Sequence, residues 1–395
     1  MTSHRSRVFA ARWIIPVSAP PINGGWIRAI DGRIAEVSSG APPPEAEKLG
    51  DVAILPRLVN SHTHLEFSGL TQAVGEPGIS LADWIGLVMA TRASTGAIAR
   101  DQAIDQGLLE LWRTGTVLAG EITTPPCHYP RGPNRPELVA FAEVVGLSDQ
   151  RAGERLAAAA DHLSGACPDA AISPHAPYSV SRETIDRAIH LAHKTGSAIA
   201  MHVAESPLER ELLTTGTGPL ADTLRHLGVW REGMFPWGAD PFVDLIDRLA
   251  MAPSVLVVHG NNFNAREIEH LSRYQHVSVV LCPRTHHFFR FPRHPVDEML
   301  ASGVRVALGT DSRASNPNLD LWQELQFLIN HRTDLDPSTV IRMATKNGAE
   351  ALGRSAWGAL EPGCVAALGC VRTEASNLEQ LFCDIASQPY QLIES

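Results

Sequence analysis

The chain has 395 residues, 44% of them hydrophobic and 19% charged, which suits one large α/β domain and excludes a disordered chain. Its 43 acidic residues outnumber 33 basic ones, a net charge of -10 that gives no footprint for wrapping nucleic acid, so a small-molecule partner is expected. No run approaches the roughly 18 to 20 apolar residues of a membrane span. The six cysteines, Cys127, Cys167, Cys282, Cys364, Cys370 and Cys383, lack Cys-x-x-Cys spacing, as expected of reduced thiols in a cytoplasmic protein.

Along the chain, the early arginines and apolar stretch of residues 1–20 imitate a secretory signal, but Arg12 and Pro16 interrupt it, and no signal peptide is expected. "WIRAIDGRIAEV" alternates around Asp31-Gly32 and reads as two short strands, and the proline-rich "SGAPPPEAEKLG" as a surface loop. From about Leu55, short β-branched runs alternate with helical stretches, the pattern of βα units on a parallel sheet. Eight candidate strands end at "LPRLVNSHTH", "TGTVLAGEIT", "LVAFAEVVGL", "AAISPHAP", "SAIAMHVAES", "VLVVHGN", "VSVVLCPRTH" and "VRVALGTDS". Helical segments such as "ISLADWIGLVMATRAS", "RETIDRAIHLAHKTG" and "AREIEHLSRY" lie between them, and eight repeats are what a closed TIM barrel needs. The tail from "LEPGCVAALGCVR" returns to strand-like sequence and is expected to join the N-terminal strands in one small β unit.

The C-terminal ends of barrel strands converge on one face, so His62, His64, His175, His202, Glu205, His259 and Asp311 are expected to meet there. His62 and His64, two apart on an extended segment, point to the same side. With 17 histidines in the chain such a pair arises by chance; joined by histidines at the fifth and sixth strands and an aspartate at the eighth, it describes a metal site. Three imidazoles and one carboxylate without thiolate suit zinc, with iron(II) or manganese(II) as alternatives, and suit calcium and magnesium poorly. A catalytic ion of this kind lowers the pKa of a water to about 7 and so supplies a nucleophile. Glu205, three residues after His202, reads as a proton shuttle between that water and a leaving nitrogen. Its other reading is a first-turn carboxylate of the helix opening in "ESPLERELL".

Trp84 falls on a stretch read as an amphipathic helix, where core packing is the common use and substrate stacking the alternative. Cys282 reads as a small buried apolar residue. Arg313, Asn316 and Asn318 follow Asp311 in a loop on the catalytic face and are candidate substrate contacts. His190, His193, His226 and His270 fall in helical stretches and are expected at the surface.

The motifs "NSHTHLEF", "HVAES", "VVHGNN", "LCPRTHHFF" and "ALGTDSRASN" resemble those of the amidohydrolase superfamily, in its branch of mononuclear metal-dependent deaminases and chlorohydrolases. The resemblance implies a distorted TIM (β/α)8 barrel over residues 56–351, with a small composite β-sandwich from the terminal segments 1–55 and 352–395. It implies that His62, His64, His202 and Asp311 hold one divalent metal ion and that Glu205 is the proton shuttle. By the same resemblance His259 orients water or polarises substrate, Asp311 also accepts a proton, and His175 contacts substrate. Binuclear members bridge two ions through a lysine or glutamate at strand three or four. "AAISPHAP" has neither, Glu143 is the only acid in "LVAFAEVVGL", and Glu121 ends the second strand, so one ion is expected.

Within that branch the nearest likeness is to methylthioadenosine, S-adenosylhomocysteine and aminodeoxyfutalosine deaminases, with triazine hydrolases and guanine deaminase as cousins. The segment "CPRTHHFFRFPRHP" departs from the Pro-x-Ser-Asn type of loop usual there, placing His286 and His287 in a region that shapes the substrate pocket. Ala367 stands where the tail strand of the family usually has an aspartate. The function implied is hydrolytic release of ammonia from an amino-purine nucleoside or related amino-heterocycle. The alternatives are hydrolysis of a cyclic amide, imidazolone or chlorinated heterocycle at the same site, or a catalytically silent scaffold. Self-association is common among such barrels, although no helix marks a specific homo-oligomer interface.

Overall fold

The computed structural model describes residues 5–127, 129–130, 132–165 and 169–393; Cys167 lies outside them. Among the described residues, fourteen strands form two sheets. In chain order they are β1 (Ser6–Ile14), β2 (Ile22–Ile30), β3 (Arg33–Ser39), β4 (Glu47–Pro56), β5 (Leu58–Thr63), β6 (Thr116–Thr123) and β7 (Glu137–Val144). Then follow β8 (Ala170–Pro174), β9 (Ile199–Val203), β10 (Val255–His259), β11 (Val277–Leu281), β12 (Arg305–Leu308), β13 (Leu368–Arg372) and β14 (Tyr390–Ile393).

The first sheet runs in the order β14-β13-β4-β1-β2-β3 and draws on both ends of the chain. Its outer hairpin turns at Asp31 and Gly32, whose φ values of 49° and 77° are the left-handed pair a two-residue turn needs to match strand twist. β13 runs antiparallel to β4, with Cys370 opposite Ile54, so the tail joins the N-terminal strands as expected. Phe9, Ile14, Ile27, Ile54 and Leu368 bury the face between them. β4 starts at Glu47, inside the stretch read as loop. Its first residues are polar and mostly exposed, and Ala11 pairs with Gly50 at a register shift, so the apolar alternation that marks a strand is missing there.

The second sheet contains β5 to β12 in sequential order, each parallel to its neighbours. The amides of Thr310 and Asp311 donate to the His62 carbonyl at 3.1 and 3.0 Å, and Thr63 bridges Asp311, drawing the last strand end onto the first. This is the distorted barrel, and all eight expected strands are in it. β9, β10 and β11 are buried at every residue, which is why each reads as a continuous apolar run instead of an alternating one.

One connection departs from βα alternation: residues 124–136, between β6 and β7, contain no helix among those described. Five prolines in that span, at 125, 126, 130, 133 and 136, remove the amide donors a helix requires. Several helices elsewhere start on side-chain caps, as where Ser181 accepts the Thr184 amide ahead of the helix Arg182–Thr195. No described helix is long and apolar enough to cross a membrane.

Candidate metal centre

His62 lies on β5 and His64 directly after it, in an extended conformation (φ -126°, ψ 92°), so both rings project to the same side. Their Nε2 atoms stand 3.2 Å apart. From β9, four strands away, His202 brings its own Nε2 within 3.4 Å of that of His64. Asp311, just beyond β12, completes the group, with Oδ1 3.8 Å from His62 Nε2 and 3.7 Å from His64 Nε2. All four residues are buried.

His202 Nδ1 lies 2.8 Å from the His175 carbonyl, which only accepts, so this nitrogen carries the proton and Nε2 is bare. Burial and the neighbouring rings push the pKa of His62, His64 and His259 below the ordinary imidazole value, and burial lowers His202 too. The rings are therefore neutral, the form that ligates metal. Burial pushes Asp311 up to about 7 in spite of the Ser315 hydroxyl bonded to it. Two donors about 2.1 Å from a tetrahedral ion stand about 3.4 Å apart, so the separations within the imidazole group fit a divalent cation, and the donor types fit one that accepts nitrogen and oxygen.

His259, at the end of β10, faces the same group: an Nδ1 or Nε2 atom from each of His62, His202 and His259 lies within 4.8 Å of the others. Its Nε2 is 3.7 Å from Glu205 Oε1. Glu205 is buried, and its other oxygen accepts a 3.3 Å hydrogen bond from Tyr178. Burial, with Asp311 and Glu209 nearby, pushes its carboxyl well above the usual carboxylate range. The reading of Glu205 as a helix-start residue does not hold. Ser206 is the N-cap and Pro207 the first helical residue, which leaves Glu205 outside the helix and turned toward the histidines.

At the site, three barrel-strand ends carry left-handed, non-glycine backbone: Ala204 (φ 54°), His259 (φ 74°) and Asp311 (φ 56°). Such conformations cost about 1–3 kcal/mol each and persist only where tertiary bonds impose them. Here the His259 carbonyl accepts from His294 Nε2 at 3.0 Å, and Asp311 N–H is tied to β5 as described.

The remaining candidates divide. His175 packs 4.9 Å from His202, ring to ring, with Nδ1 2.7 Å from the Ser179 hydroxyl, and burial pushes its pKa down to about 3. Trp84 is half-buried on the helix Leu81–Ser94, edge-on to Phe289 at 5.2 Å. That helix lacks the expected single buried face: only Leu81 and Ala82 are buried, and Leu87 and Met89 are exposed. Arg313 is not brought into the cluster. Its guanidinium grips Glu110 at 2.9 Å through Nη2 and reaches two backbone carbonyls, fastening the loop to a neighbouring helix.

Asn316 and Asn318 bond within the same loop and to the helix Leu321–His331. His286 donates to the Pro292 carbonyl at 2.8 Å, and His287 packs on Phe327. Cys282 is buried, as expected, while His190, His193 and His226 are exposed and His270 is half-buried against Asp247.

Glu209, which bonds the amides four and five residues back, reads as an ordinary first-turn acid. Tyr178, Asn261 and His294 are not legible as site residues, because each acts on a strand end through tertiary contacts with no spacing of its own. The same holds for Arg92, whose Nη2 bonds Thr124 and Glu143 at 2.7 Å each and also pairs with Glu66, beside the histidines. Burial alone would raise Glu143; the Arg92 guanidinium overrides it and holds the carboxyl at about 2.

A family model described as the amidohydrolase family matches residues 53–384. The aminodeoxyfutalosine deaminase of Deinococcus radiodurans is 31% identical over 326 residues, covering 79% of this chain and 76% of that protein. The 5-methylthioadenosine/S-adenosylhomocysteine deaminase of Nitratidesulfovibrio vulgaris is 26% identical over 390 residues, covering 94% and 83%. Among solved structures, Helicobacter pylori aminofutalosine deaminase superposes with a TM-score of 0.81 at 20% identity, covering 98% of each chain, a likeness of fold.

Proposed function

The chain belongs to the amidohydrolase family, and on that premise we propose that it is a hydrolytic deaminase of adenosine-derived nucleosides using one divalent metal ion. His62, His64, His202 and Asp311 would hold the ion. Zinc is the ion this donor set favours, with iron(II) and manganese(II) as alternatives. A single ion is supported by what the nearby acids already do: both oxygens of Glu121 accept the Leu65 amide, and Glu143 is paired with Arg92.

The observation that carries the reading is Glu205, buried beside the imidazole group between Tyr178 and His259. When bound, the ion supplies Lewis acidity and makes a water acidic near neutral pH. Glu205 takes the proton of the attacking water and returns it to the exocyclic amine, so water is consumed and ammonia leaves. Tyr178 occupies Oε2, leaving Oε1 on the His259 side for that transfer. Neutral His259 orients the water, and Asp311 takes that water's second proton and passes it to the ring nitrogen of the oxo product, so neither carboxyl group ends the cycle changed. Ser179 donates its hydroxyl proton to the Ala176 carbonyl, so it accepts from His175 Nδ1, and His175 Nε2 is left as an acceptor for an N–H or O–H of the substrate.

The test is product identification. Metal-loaded protein given adenosine derivatives is expected to replace the ring amine by oxygen with one ammonia per turnover. A ring-opened cyclic amide or dechlorinated heterocycle, with the nucleosides untouched, would move the assignment to those substrates.

Gly309 supplies a second check on the ligand set. A Cβ there would lie 2.9 Å from both Cβ and the carbonyl oxygen of His62, so the glycine lets the end of β12 approach β5 closely. Gly309→Ala is expected to shift His62 and weaken metal binding by about 10-fold or more, read by competition with a chromogenic chelator. Unchanged affinity in a variant whose crystal structure shows His62 displaced would mean that His62 is not a ligand.

A further inference from the structure

We propose that Glu209 is the positioning residue for Glu205, acting by clamping the two peptide N–H groups that flank Ala204. The inference rests on the role given to Glu205 above. Glu209 lies in the first turn of the helix Pro207–Thr215, yet its side chain is fully buried and bends back toward β9. Oε1 accepts the Ala204 amide at 3.0 Å and Oε2 the Glu205 amide at 2.8 Å. A carboxylate is a planar fork, so two successive N–H groups held by its two oxygens have their two peptide planes fixed relative to each other.

The clamp matters because of what lies between β9 and the helix. Ala204 sits at φ 54°, a conformation that an alanine side chain does nothing to favour, so it must be imposed from outside. Glu209 holds its amide, and the Asn262 amide donates to its carbonyl at 2.8 Å. This reversal takes Glu205 out of the line of β9 and puts its carboxyl beside His259. Asn261 Nδ2 then holds the Glu205 carbonyl at 2.9 Å, and Tyr178 one carboxyl oxygen. Glu209 acts on Glu205 through this backbone and, as a nearby charge, also helps to raise its carboxyl.

Glu209→Gln keeps the shape but replaces one acceptor by an amide donor, which faces a backbone N–H whichever way the side chain is turned. A displacement of about 1 Å in a catalytic group costs on the order of 100-fold in rate. The expected result is therefore a kcat roughly 100-fold lower with KM and metal content as in the wild type. Glycine takes the left-handed conformation unaided, so adding Ala204→Gly is expected to restore about 10-fold or more of the loss. A crystal structure of the Glu209→Gln protein, independent of turnover, is expected to show the Glu205 carboxyl displaced from His259.

A wild-type kcat in Glu209→Gln, a loss that Ala204→Gly does not restore, or an unmoved Glu205 would overturn the proposal. Where Glu209→Gln alone does not fold, the double variant is compared with Ala204→Gly, and a loss beyond about 10-fold in that background overturns it as well. Wild-type turnover measured alongside separates the two ideas. An inactive wild type refutes the proposed function, whereas an active wild type with an indifferent Glu209→Gln refutes only the clamp.

Discussion

Replacing Glu205 by glutamine is expected to lower kcat by roughly 10³-fold while the protein keeps its metal. The substitution is isosteric, and the amide oxygen can still accept from Tyr178, so the buried site loses neither volume nor that hydrogen bond. What it loses is the capacity to take up and release a proton. The carboxyl oxygen nearest His259 is 3.7 Å from that ring, and Asp311, held by Ser315, faces the ligating rings, so no other acid occupies the same position. Steady-state kinetics and metal analysis on one preparation check this. A full-rate Glu205→Gln protein would remove the shuttle role and leave Asp311 as the acid and base.

Stripping the metal with a chelator is expected to abolish turnover and also to lower thermal stability. Four buried groups facing one another without a cation lose the partner that offsets their desolvation. A ligand bound at 1,000 times its Kd contributes about 4 kcal/mol to folding stability, which the stripped protein forgoes. One equivalent of zinc is expected to restore both the melting temperature and the rate, and magnesium neither, since imidazole-rich sites bind it poorly. Turnover surviving in demonstrably metal-free protein would separate the histidine cluster from the chemistry.

Much of this architecture is readable in the sequence for a physical reason. Parallel strands covered on both faces are rich in apolar residues, so most of β5 to β12 stand out as short apolar runs, and a polar residue that closes such a run marks a strand end. His62, His64, His202, His259 and Asp311 are such residues, and the barrel brings them to one face. The helix-free connection after β6 was also written in its prolines, although the regular alternation around it hid them.

Side-chain direction was not readable. Arg313 follows Asp311 by two residues and sits in a loop on the catalytic face, yet Glu110, 203 positions away, holds its guanidinium. The residues that hold Glu205 bond across 27 and 56 positions, or back onto the peptide of a neighbouring turn, and no local pattern encodes that. Nor does composition reveal that Ala204 adopts left-handed backbone, since alanine does not favour it.

Ammonia release by the wild-type protein carrying one equivalent of zinc, with adenosine, 5'-deoxyadenosine and methylthioadenosine as substrates, tests the central claim most directly. The account predicts one ammonia for each nucleoside converted to its oxo product, and no ammonia from the Glu205→Gln protein beyond its residual rate. No ammonia from any adenosine-derived nucleoside, with zinc shown to be bound, would contradict it.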